Sequence, residues 1–305
     1  MNTSRERLTL LVCVLIGGLF LLASETTAQT ELEKAVQQYN ATSIGGYLQP
    51  VADLFGANMH AGYYHSAYIP QSGFSIGIDI IAMGALVQDD QKSYTATSPA
   101  GFAPGTFQTA TVFGGKGTAV SHSTIAGLQY KGSDGIFNTS ILPMAVPQLR
   151  IGSLYGTEVV LRFIATPAIG DNKFPVITFW GAGARHSISQ YIPNSPVDIA
   201  ASFFYSDFNL GDLIKAQGTS FGVQASKSIK ILMLYGGLSW EKSTLDLSYT
   251  TTDPTSTPLV DVSLNGANKF RATIGVGVNF GIFKVFADAN FGTVTNYSGG
   301  IGFGR

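Results

Sequence analysis

The sequence predicts an all-β protein, a closed antiparallel β-barrel that crosses a membrane, and three observations carry that prediction. Segment after segment alternates with period two, one face apolar and the other small or polar. These segments run to about ten residues or more, where strands of globular proteins average ~5–6. Their polar face is glycine, serine, threonine and asparagine rather than the lysine and glutamate that cover a solvated sheet.

The chain opens with Arg5 and Arg7, an apolar stretch from Leu8 to Leu22, and small or polar residues from Ala23 to Ala28. Residues 1–28 therefore read as a cleaved signal peptide. Cys13, the sole cysteine, lies inside the apolar stretch, so the exported chain is expected to carry no disulfide and no thiolate metal site. An exported chain without disulfides needs another source of stability. A sheet closed on itself in lipid satisfies its own backbone.

Charged residues make up only 12% of the chain, where ~25% is usual. After residue 22 no apolar run approaches the ~20 residues of a membrane helix. A net charge of −1 argues against a nucleic-acid partner.

Residues 29–56 have helical spacing instead. Leu32, Val36 and Tyr39 recur on one face, as do Ile44, Leu48, Val51 and Phe55, with Gly56 as a natural stop. Two short amphipathic helices are expected here, a plug in the lumen or a lid at the periplasmic mouth.

Residues 57–305 are expected to be the barrel. A hairpin of 57–69 and 73–87 turns around Pro70 to Gly73, and a further strand is placed near 118–129. Then come 146–154, 156–166, 175–185, 197–208, 216–227, 231–249, 268–280, 281–292 and 296–304. The total is about twelve, within limits of ten and fourteen, because single-chain barrels have even counts. Segment 88–117 would start on the periplasmic side and fold into the lumen.

The alternation is plainest where Phe270, Ala272, Ile274, Val276, Val278 and Phe280 oppose Arg271, Thr273, Gly275, Gly277 and Asn279. Aromatic residues such as Tyr155, Trp180, Tyr205, Trp240 and Tyr297 gather near strand ends, as interfacial girdles do. The apolar face should reject a charge at Val276 or Val223, while the other face should accept serine at Gly275.

Charges facing lipid near the midplane cost ~2–4 kcal/mol. Asp79, Arg150, Glu158, Arg162, Arg271, Lys284 and Asp288 are therefore lumen-lining candidates. Such a set forms either a polar pathway or a salt-bridged network that fills a narrow barrel or holds the plug.

No motif points to catalysis, a cofactor or a metal. Gly114-Gly115-Lys116-Gly117 lacks the spacing and the hydroxyl residue of a phosphate loop. His186 and Ser187 are adjacent, so in a strand they point to opposite faces and cannot act as a nucleophile and its base. His60, His65 and His122 have no partner at metal-ligand spacing.

Several runs look familiar together: Tyr47 to Pro50, Gly62-Tyr63-Tyr64-His65, Gly156 to Glu158 followed by Arg162-Phe163, Arg185 to Tyr191, and Ala225 to Ser228. From about Glu31 onward the chain resembles an uncharacterised family of outer-membrane barrel proteins. That family is distantly similar to the long-chain fatty-acid transporters of the outer membrane, which carry an N-terminal plug in a monomeric barrel.

The resemblance implies a barrel in the cell outer membrane, with its lipid and the barrel-assembly machinery as partners and small hydrophobic solutes as cargo. The leading expectation is a channel or transporter for small or hydrophobic solutes. The alternative is a non-conducting structural or interaction barrel, and a barrel lipid hydrolase stands last.

Overall fold

The computed structural model describes residues 41–137, 139–166, 176–211, 213–249 and 260–304. The expected signal peptide lies outside them. One helix, α1 (Ala41–Met59), precedes β1 (Ser75–Leu86). Five short strands follow: β2 (Ser93–Thr97), β3 (Phe102–Ala103), β4 (Thr106–Ala110), β5 (Ala119–His122) and β6 (Gln129–Lys131). Then come β7 (Ile141–Leu154), β8 (Thr157–Ala165), β9 (Ile177–Ser187), β10 (Asp198–Leu210), β11 (Ile214–Ile229), β12 (Leu232–Tyr249), β13 (Val260–Asn265), β14 (Phe270–Asn279), β15 (Phe283–Phe291) and β16 (Asn296–Gly304).

The large sheet runs in the order β11-β10-β9-β8-β7-β1-β16-β15-β14-β12, and β12 pairs back onto β11. Ten antiparallel strands thus close a ring. β13 pairs only with the far half of β12. Trp240 pairs with Phe270 but Thr244 with Asn265, a register slip of the kind a β-bulge makes.

The expected count of about twelve is corrected here. Residues 57–69 form no strand, and segment 118–129 supplies only β5, in a small sheet with β3 and β6.

The alternating faces fall as the residues dictate. Ile274, Val276, Phe221, Val223, Leu161, Phe163, Ile78 and Ile80 are exposed on the outer wall, while their strand neighbours point inward. Along β11 the outward positions from Thr219 to Ala225 carry no charge, and Lys215 and Lys227 lie beyond them. The interval between those two lysines is ~40 Å along the strand, or ~30 Å after a tilt of ~40°. Outward aromatics sit toward both ends: Phe163, Trp180, Trp240, Phe270 and Tyr297 at one, Tyr155, Phe280 and Phe303 at the other.

The two ends differ. At the terminal end β1 begins and β16 finishes, and the turns at Tyr155–Gly156 and Lys230–Ile231 are tight. At the opposite cap end, residues 87–140 leave the barrel between β1 and β7 and carry β2–β6. The expectation that 88–117 folds into the lumen from the periplasmic side is therefore corrected. Without a strand at 57–69, β1 runs toward the cap end and its following segment starts there.

Helix α1 sits in the cap-end mouth. Ile44, Tyr47, Leu48, Ala52, Leu54, Phe55 and Met59 are buried. They meet wall residues whose inner face has turned apolar, among them Leu245, Leu247, Val262, Leu264 and Phe208. The Phe55 and Phe208 ring centroids are 4.6 Å apart.

The helix does not stop at Gly56. A side chain there would run into the Ser243 hydroxyl, so glycine serves the close approach of helix to wall. Of the two helices expected in 29–56, the first lies outside the described residues. The second is at the mouth opposite the barrel termini, not at the terminal-end mouth that the sequence pointed to.

From Met59 the chain descends through the lumen. Asn58 donates to the Leu142 carbonyl near the cap end at 2.7 Å, and Ala67 N–H to Ser226 Oγ near the terminal end at 2.8 Å. Between them Gly62 lies beside Ile81, and His65 stacks on Phe286. The chain emerges at Gln71–Phe74, all exposed, and enters β1.

Candidate functional site

The site is the barrel interior and the segment it encloses. Asp79, Arg150, Glu158, Arg162, Arg271 and Asp288 are buried on the inner wall, and Lys284 is half-buried there. Strand register decides which of them meet. Asp79, Gln148 and Arg162 lie in one row across β1, β7 and β8. Arg150 reaches diagonally to hold both Asp79 oxygens, at 2.6 and 3.0 Å, and Gln148 bridges Asp79 to Arg162 at 3.1 and 2.9 Å. Glu158 opposes Arg185 directly on β9, and the two are ion-paired.

A second cluster joins β12 to β14. Arg271 Nε donates to Glu241 Oε1 at 2.6 Å, and Asn268 donates to the other oxygen at 3.3 Å. Asp288 accepts from Tyr235, at 2.9 Å, and from Asn290 and Ser298. Each buried carboxylate thus has a cation or several hydroxyl and amide donors. This pairing is what allows it to be buried at all.

Three arginines also bind the chain inside the barrel. Arg271 donates to the Ala57 carbonyl at 2.6 Å, Arg162 to the Ala61 carbonyl at 2.8 Å, and Arg185 to the Ser66 carbonyl. They grip the luminal segment at its top, middle and bottom. Arg162 also lies 3.6 Å from the centre of the Tyr63 ring, whose hydroxyl bonds Ser206 at 2.5 Å. The Tyr63 ring stacks on Phe204 at 4.0 Å.

A small cavity of about 20 Å³ lies beside the segment, lined by His60, Tyr64, Ser202, Arg271, Thr273 and Asp288 among others. That is room for one or two waters. Nitrogens of His60 and His65, with Nη1 of Arg162 and of Arg271, are buried and find no partner among the described residues. Water in the cavity would satisfy those of His60 and Arg271, which line it.

Arg185, Glu241 and Gln148 are missing from the lumen set drawn from the sequence. Alternation alone places all three on inner faces, since Arg185 follows Gly181 and Gly183, and Glu241 follows Tyr235, Gly237 and Ser239.

The other sequence candidates separate. His186 Nδ1 meets Thr157 and its Nε2 meets Tyr191, both at 2.9 Å, while Ser187 bonds Ser189. Gly117 N–H donates to Asp134 at 2.8 Å, inside the cap. Among the described residues no cluster of three or more His, Cys, Asp or Glu could hold a metal.

Residues 4–305 match a family described as Family of unknown function (DUF6588), and the chain belongs to it. No curated protein matches the sequence. Among solved structures it is similar to three outer-membrane barrels. Salmonella typhi OmpF in complex with daunomycin is 11% identical, over 77% of this chain and 98% of that one, with a TM-score of 0.26. The translocator domain of autotransporter NalP from Neisseria meningitidis is 11% identical, over 93% and 98%, with a TM-score of 0.27. The toluene transporter TodX of P. putida is 12% identical, over 81% and 70%, with a TM-score of 0.27.

Proposed function

We propose that this member of the DUF6588 family is an outer-membrane β-barrel closed by its own amino-terminal segment, a barrel that does not conduct at rest and works through its cap end. The observation that carries the reading is that α1 and residues 60–69 occupy the lumen and are gripped by Arg271, Arg162 and Arg185. The membrane setting is supported by the outer wall, with its uncharged middle and aromatics toward both ends. Single-chain barrels keep their termini and short turns periplasmic, so the cap end would face outward. Lipid and the assembly machinery are then its partners.

Passage of small or hydrophobic solutes is the second reading. It draws on one feature: the luminal segment forms no strand ladder with the wall and is irregular in backbone. In that case the segment must leave before anything passes. Conductance in planar bilayers, with solute uptake into liposomes, tests the proposal. The intact protein should insert and stay electrically silent, and a steady open conductance would overturn it.

A further inference from the structure

We infer that the barrel is a conduit for its own amino-terminal region and presents the chain that precedes α1 on the cap face, the cell exterior. The inference rests on the orientation proposed above and goes beyond closure of the lumen.

The path of the chain carries it. A barrel with an even number of strands begins and ends at one rim, and here Ser75 and Gly304 share the terminal end, where Gly77 pairs with Gly304. A plug that entered and left at that rim would have to double back. This chain makes a single pass. From the cap end downward the contacts come in sequence order: Gly46 against Tyr94 of the cap, Gly56 against Ser243, Asn58 on Leu142, Gly62 beside Ile81, His65 on Phe286, Ala67 on Ser226. Ala41, the first described residue, is therefore across the membrane from Ser75.

The cap makes a seat for that end of the helix. Val112 N–H donates to the Tyr47 carbonyl at 3.1 Å, and Tyr47 Oη donates to the Asp134 carbonyl at 2.9 Å. Gln49 reaches the Asn265 carbonyl at 2.8 Å, and Asp53 accepts from Ala267 N–H at 2.9 Å. These last two satisfy backbone groups at the end of β13 and in the link from β13 to β14.

The grips within the lumen suit a conduit. All three arginines hold main-chain carbonyls, on Ala57, Ala61 and Ser66, so these three contacts do not depend on the side chain carried there. The residues gripped are small, which lets the chain fit a lumen of ten strands.

The chain has one cysteine, so single-cysteine labelling can place each point. With Cys13 replaced by serine, Asn40→Cys marks the chain before α1, Thr124→Cys the cap and Ser72→Cys the terminal end. Thr124 and Ser72 are exposed. Intact cells are treated with a membrane-impermeant maleimide, then permeabilised cells, and membranes are fractionated in parallel.

The expected result is that Asn40→Cys and Thr124→Cys react on intact cells and Ser72→Cys only after permeabilisation. Reaction of Thr124→Cys on intact cells with Asn40→Cys shielded would overturn the inference and leave the outer-membrane reading standing. Reaction of Ser72→Cys alone would overturn it through an inverted barrel. Absence from the outer-membrane fraction would overturn both, and fractionation identifies that case.

Discussion

Replacing Arg271 with alanine should loosen α1 without preventing the barrel from forming. Arg271 is 4% exposed and Glu241 1%, and the guanidinium meets both carboxylate oxygens, at 2.6 and 3.2 Å. Without it Glu241 stays buried with the Asn268 amide and the Ser239 hydroxyl, at 3.3 and 3.2 Å. Breaking a buried pair from one side costs ~3–5 kcal/mol. The lost bond to the Ala57 carbonyl is of the charge-assisted kind, worth ~1.5–3 kcal/mol, and overlaps with that figure.

The assay is urea unfolding of the folded protein in detergent micelles, read by gel mobility without heating, for Arg271→Ala, Glu241→Ala and the double variant. Arg271→Ala should be destabilised by ~3–5 kcal/mol. The double variant should be less destabilised than the sum of the singles by ~1.5 kcal/mol or more, because it leaves no unpaired charge. Bilayer recordings of Arg271→Ala should show intermittent openings. A change within ~0.5 kcal/mol, or singles that add, would refute the argument that this pair anchors the helix.

Three other predictions follow from the wall and the cap. Val223→Arg puts a charge on the outer face, where it costs ~2–4 kcal/mol near the midplane, and should reduce assembly yield. Gly275→Ser should also be harmful, against the expectation from the sequence, because a β-carbon there would strike the Tyr235 ring and disturb its bond to Asp288; normal yields for both variants would refute the face and packing assignments. In the cap, the Asp134 carboxyl is held below its usual range by Lys131 at 2.7 Å and then by the Gly117 N–H. A depressed folded pKa gives a contribution that is present above the unfolded value of ~3.9 and is lost as pH falls through the folded one. The Gly117 amide resonance should therefore hold steady from about pH 8 to 5 and titrate below ~3.9, and a midpoint at or above that value would count against the pair.

Period-two alternation is a local property, and it was enough to place the wall. The runs around Phe270–Phe280 and Thr219–Ala225 became β14 and β11 with the expected faces outward, because a strand's two faces are set by its own pleat. The inward position of Arg271 and Asp288 was legible for the same reason. Their partners were not. Glu241 meets Arg271, and Arg150 meets Asp79, only through register between strands far apart in sequence.

The segment Gly62-Tyr63-Tyr64-His65 has the composition of a strand, and only tertiary structure decided that it is not one. Whether such a stretch joins the ladder or occupies the lumen depends on whether the ring closes without it. β1 closes against β16 and β7 and leaves no edge for another strand. The same closure reversed the direction of β1, put residues 87–140 and α1 at the cap end, and left the chain between them with a single way through, the middle of the barrel.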